Sequence, residues 1–201
     1  MKNFLVSLAL VSALSGSMYA KEQSGVVLGV SVGGGGAINV TGGSNATGSS
    51  VYFLGAKVGY QAFITDNSGV RFYLSGLVGH GFYPSATTPT SNSFIGHDLY
   101  TLIDIDADYL YNWTDEQSYS AGLFLGFFAG ALIGTPLTGS TGSTAVGSAI
   151  GINFGLRTTI AYNHQVEFGV KPSIAFFAGR EVGLGSFISG QVSYIYKFDT
   201  Y

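Results

Sequence analysis

The chain has 201 residues, only 9% of them charged, with 31 glycines, 15 phenylalanines, 13 tyrosines and no cysteine. Ordinary soluble domains carry about 25% charged residues, so a conventional solvated surface is excluded. A net charge of −3 gives no basis for nucleic-acid binding, and without cysteine there is no disulfide framework, thiolate zinc site or lipoprotein attachment point.

The first element is an export signal, "MKNFLVSLALVSALSGSMYA". Lys2 supplies the positive end, Phe4 to Leu14 the apolar core, and small residues lead to cleavage at Ala20. Met18 lets the cut move by a residue or two. The apolar core is shorter than the roughly 20 residues a spanning helix needs. Cleavage leaves residues 21–201 as one domain.

Eight segments follow in which apolar and polar or small residues alternate, the period of a strand. The first is "VVLGVSV" (26–32). The Gly- and Ser-rich interval 33–50 reads as a loop. "VYFLGAKVGYQAFI" (51–64) sets Tyr52, Leu54, Ala56, Val58, Tyr60 and Ile64 against Lys57, Gly59 and Gln61. After the turn "TDNSG" (65–69), "VRFYLSGLVGHGF" (70–82) sets Phe72, Leu74 and Val78 against Arg71, Tyr73 and Ser75.

A loop over 83–97 leads to "LIDIDADYLYNW" (102–113). Here Asp104, Asp106 and Asp108 share one face, and Ile103, Ile105, Tyr109, Tyr111 and Trp113 the other. The turn "TDEQ" (114–117) precedes "AGLFLGFFAGALIG" (121–134), too short and too glycine-rich to span as a helix. The loop 134–147 leads to "IGINFGLRTTIAY" (150–162), with Asn153 and Arg157 on its polar file. A short turn at 163–164 and "VEFGVKPSIAFF" (166–177) follow, with Glu167, Lys171 and Ser173 on the polar file. Beyond a loop near 179–185, "SGQVSYIYKF" (189–198) ends the pattern with Gln191, Ser193 and Lys197 opposite its aromatics.

Eight strands with short turns at one end and longer connections at the other predict an all-β fold: an eight-stranded antiparallel transmembrane β-barrel of the outer-membrane type. A barrel of eight strands holds a lumen that side chains only just fill. The apolar file carries too many Tyr, Phe and Leu for that volume, so it faces lipid and the small and polar file faces inward. The aromatics cluster near strand ends, as at membrane interfaces. Tyr60, Phe72, Tyr111, Trp113, Tyr119, Tyr162, Tyr196 and Phe198 form the periplasmic girdle; Tyr52, Phe82 and Phe176 lie towards the outer one.

Inward carboxylates need partners, because an unpaired buried charge costs several kcal/mol. Asp104, Asp106, Asp108 and Glu167 face Lys57, Arg71, Arg157 and Lys171 on the inner files, four acids against four bases. The expectation is an ion-paired plug.

"GYQAFITDNSGVRFYLSG", "DLYTLIDIDADYLYNW", "GLFLGFFAGA", "INFGLRTTIAYNHQVEFGVK" and the ending "VSYIYKF" resemble the C-terminal barrel domain of the Helicobacter outer membrane protein family. The resemblance covers roughly 51–198 and is strongest in "GLRTTIAYNHQVEFGVK" and the last strand. It implies an outer-membrane barrel, in a family that includes adhesins and proteins described as porins. The chain departs from the large adhesins, whose head inserts after an early strand: only "GGGGAINVTGGSNATGSS" (33–50) stands there, without cysteines. Family members end on a terminal Phe, whereas Phe198 is followed by Asp199, Thr200 and Tyr201. Tyr194, Tyr196 and Phe198 remain the expected signal to the barrel-assembly machinery, after periplasmic chaperones.

No catalytic, cofactor or metal site is expected. His80 lies on the lipid-facing file, and no serine at strand spacing completes a nucleophile–base pair with it. His97 reads as loop and His164 as turn, without metal-ligand companions. The Asp104–Asp106–Asp108 spacing lacks the turn glycine of a calcium loop. "NAT" (45–47) and "NWT" (112–114) match an acceptor pattern with little weight in bacterial export, and "GGGG" (33–36) lacks the lysine of a phosphate loop. Three functions stay open. The first is structural and surface display in the outer membrane, among lipid and lipopolysaccharide, with loops 83–97 and 134–147 meeting a host or surface ligand. The others are a narrow cation-preferring pore lined by the aspartates, and a lipid-modifying enzyme using His80.

Overall fold

The computed structural model describes residues 24–41, 45–84, 95–116, 119–137, 144–161, 163–178 and 183–199. The expected signal peptide, Tyr162 and most of the segment expected as loop 83–97 lie outside them. Eight strands run in chain order: β1 (Gly25–Thr41), β2 (Asn45–Phe63), β3 (Ser68–Pro84), β4 (Ile95–Glu116), β5 (Tyr119–Pro136), β6 (Ala145–Ile160), β7 (His164–Ala178) and β8 (Gly183–Asp199). Each pairs antiparallel with its sequence neighbour, and β1 pairs with β8 to close a barrel. Closure leaves no edge, the condition for a sheet to stand in lipid, where an unpaired backbone group costs several kcal/mol.

Paired residues followed once around from Lys57 pass through Ser75, Asp104, Gly130, Ala149, Ala175, Gly185 and Asn39, and return to β2 at Thr47. That stagger, from 57 to 47, tilts eight strands by roughly 40° and keeps the lumen narrow. Tyr60 and Tyr52 on β2 therefore lie roughly 20 Å apart along the axis, near the ~25 Å apolar band of such barrels. Large apolar side chains cover the outside: Leu54, Phe127, Ile105, Leu156 and Phe168 are all exposed. At the rim with the short turns, Tyr196 and Phe198 meet edge-on at 4.8 Å, and Tyr109 Oη donates to Ser68 Oγ at 2.9 Å. At the far rim Tyr52 and Phe82 lie 5.7 Å apart.

Three sequence expectations are corrected. The interval 33–50 is not a loop: β1 and β2 stay in register from Gly33↔Phe53 to Thr41↔Asn45, leaving only 42–44 between them. Gly and Ser leave little side chain to alternate, but their backbones still fill the ladder. His97 stands on β4, not in a loop, with its ring stacked on His80 at 5.1 Å. His164 opens β7, its Nδ1 2.6 Å from Tyr194 Oη. Strands of 15 to 22 residues exceed the roughly 9–11 that cross a bilayer, so the sheet projects beyond the membrane at the far rim.

Depth then decides what a charge costs on the outer face. Ile105→Arg, near mid-membrane, should destabilise the refolded barrel by about 2–4 kcal/mol, and Ile38→Arg, on the projecting part, by about 0–1 kcal/mol. Urea unfolding in lipid vesicles measures both.

Candidate functional site

The inner files of β2, β3, β4 and β7 meet in a charged layer centred on Arg71, which is wholly buried. Register sets Arg71 beside Asp108. Arg71 Nε and Nη2 donate to Asp108 Oδ2 at 3.1 and 2.6 Å. Across the lumen, Arg71 Nη1 reaches Glu167 Oε1 at 2.5 Å and Nη2 reaches Oε2 at 3.3 Å. Lys57 Nζ adds a second cation 3.7 Å from Glu167 Oε2. A guanidinium presents several donors in a fixed fork, so one side chain can bind two carboxylates from opposite walls.

A second cluster lies towards the far rim. Lys171 Nζ sits 2.7 Å from Asp104 Oδ2 and 2.9 Å from Asp106 Oδ1. Ser75 Oγ donates to Asp104. Asn153 Nδ2 links the clusters, within 2.8 Å of Asp108 Oδ1, 3.1 Å of Asp106 Oδ1 and 2.9 Å of Tyr73 Oη. Rings wall the cations: Arg71 Cζ lies 5.0 Å from the Tyr73 centroid and 5.5 Å from that of Phe124. Lys57 Nζ lies 5.1 Å from Tyr73, and Lys171 Nζ 4.1 Å from Phe128. A desolvated cation over a ring face gains about 2 kcal/mol.

Arg157 is placed differently from the other three bases. Its cross-strand neighbour is Glu167, yet that carboxylate turns to Arg71 and Lys57. Arg157 Nη1 donates to Asn112 Oδ1 at 3.1 Å and Nη2 to Thr159 Oγ1 at 3.4 Å, and its Cζ stands 5.5 Å from the Phe63 ring. Tyr73, Ser75 and Asn153 escape the sequence reading as members of the network, although alternation sets them on the inner files. Lys197, also on an inner file, is fully buried too.

The lumen is not uniformly small and polar, which corrects the expectation. Phe63, Leu110 and Phe124 pack together at the end with the short turns. Phe53, Leu77, Leu102, Phe128, Ala149 and Ala175 pack in the far half. Ion pairs thus lie between two apolar layers that keep water away. Chemically, four carboxylates are held by Arg71 and Lys171. Gly126 permits the layer to close: a Cβ there would overlap the Asp108 carboxylate and the Ala107 carbonyl.

The profile of the family described as Helicobacter outer membrane protein matches residues 55–198. Among solved structures, the chain is similar to Neisserial surface protein A (NspA), with 18% identity over 88% of this chain and 100% of that one and a TM-score of 0.49. The attachment invasion locus protein Ail of Yersinia pestis shows 14% identity over 86% and 99%, with a TM-score of 0.36. The N-terminal β-barrel domain of Pseudomonas aeruginosa OprF shows 12% identity over 85% and 99%, with a TM-score of 0.30. No curated protein matches.

Removing the shared cation takes from Asp108 its ion pair and leaves Glu167 with the more distant Lys57. Arg71→Met should lower stability by about 3–5 kcal/mol, seen as a lower temperature for loss of the folded band in a heat-modifiable gel shift. Gly126→Val should cost about 1–3 kcal/mol through overpacking in the same assay.

Proposed function

Since the chain belongs to the Helicobacter outer membrane protein family, we propose that this outer-membrane barrel is closed to solutes and serves to hold and display surface segments. The observation that carries the reading is Arg71, bound to opposite walls through Asp108 and Glu167 at the level of the narrow lumen. A pore for small ions needs mobile charge and water along its axis. Here the carboxylates are committed to cations and the layer is roofed and floored by apolar side chains. The connections at the far rim, including the parts of 83–97 and 134–147 beyond the strands, are the natural contact surface for a host or surface ligand. The strands that lead to them are longer than a bilayer crossing needs.

Export supports the same reading. Residues 1–20 would act as a cleaved signal, and Tyr194, Tyr196 and Phe198 would guide chaperones and the assembly machinery. His80 stands in a lipid-side aromatic group with His97 and Phe82, the surroundings of an interfacial side chain. Loss of lipid turnover in His80→Ala would mark an enzyme instead.

The refolded protein in a planar bilayer should give no steady conductance steps while its gel shift shows a folded barrel. Steady cation-selective steps that lose selectivity in Asp106→Asn would establish a pore and overturn the closed reading.

A further inference from the structure

A pocket remains in the far half of the lumen, above the charged layer. Its volume is about 50 Å³, and its walls are almost wholly apolar, with Phe53, Leu77, Leu102, Leu132, Phe177 and Phe187 among them. Such barrels ordinarily have polar interiors, so an apolar wall drawn from the inner files of all eight strands is a departure from the pattern. Along the barrel axis, the Lys171–Asp104 cluster bounds it on one side. On the other it rises to Tyr100, Gly185 and Ser186 near the far rim. Phe128 lies beneath it, against Lys171.

We propose that this pocket binds the end of a short unbranched alkyl chain carried by a free amphiphile from outside the cell. Three observations fix the ligand class. The wall carries no charged side chain, so burying an ionised or strongly polar group would leave it without partners. The volume is about a third of the roughly 150 Å³ apolar site known to take benzene, which suits a chain tip and not a ring. The pocket faces the lumen, and the closed sheet separates it from the bilayer, so membrane acyl chains have no direct way in. A polar head would stay near Tyr100 at the opening. The pocket does not depend on the barrel's being closed to ions, since it lies beyond the charged layer.

The test uses the full barrel in lipid nanodiscs with labelled leucine and isoleucine methyl groups, titrated with 1-hexanol. The expected result is a saturable shift of the Leu77, Leu102 and Leu132 methyls. Methyls of Leu74 and Ile105, which face lipid, should shift only in proportion to added alcohol. 1,6-Hexanediol, with the same length but polar at both ends, should leave the three lumen leucines unmoved. Ala149→Leu, which fills the pocket, should abolish the hexanol shift while the heat-modifiable band is kept. If that variant does not fold, the diol comparison on the unaltered barrel decides. Equal shifts with hexanol and the diol, no saturable lumen shift, or contacts between lumen methyls and nanodisc lipid before any alcohol is added would each overturn the proposal.

Discussion

A sheet in lipid must satisfy its own backbone, and everything else in this molecule follows from the way it does so. Pairing of β1 with β8 along their whole length removes the two edges that eight strands would otherwise expose. Closure with so few strands forces a narrow lumen. Alternation then divides every strand into a file for lipid and a file for that lumen, and the two have opposite requirements. Outside, apolar bulk is needed and packing is loose; inside, each side chain must find room and each charge a partner.

The lumen meets these demands by layering. Apolar residues at both levels exclude water from a central set of acids and bases. Excluding water strengthens each ion pair and also raises what it costs to leave one incomplete. Arg71 resolves this by serving two carboxylates, while Asn153 Nδ2 adds a donor beside Asp108 and Asp106. The arrangement ties β3 and β4 to β7 across the barrel, so the ion pairs act as cross-braces as well as a barrier. A wall held in this way is a suitable base for rim segments that must stand away from the membrane.

Much of the fold was legible in the residues. The alternation in "LIDIDADYLYNW" predicts which face of β4 meets lipid, and the structure sets Asp104, Asp106 and Asp108 inward with Ile103 and Ile105 outward. Glycine hid the rest of the first hairpin: "GGGG" (33–36), paired with residues 50–53, has no periodic side chains to betray it. The lumen's chemistry was legible by residue but not by partner. Glu167 sits beside Arg157 in register yet binds Arg71, because side chains reaching across a narrow tube choose among walls that sequence separation does not rank. The far-half pocket was concealed for a related reason. Phe53 and Leu77 have glycine or serine beside them on their inner files, Leu102 has Tyr100 and Asp104, and only the pairing of the strands brings the three to one level.

The state of the Arg71 guanidinium tests the closed lumen most directly. In ¹⁵N-labelled barrel refolded in nanodiscs, a guanidinium held by Asp108 and Glu167 and shielded from water should show separate Nη signals whose protons exchange slowly with solvent. Merged signals with exchange as fast as that of an exposed arginine would mean that water reaches the layer, and that the lumen is an open passage.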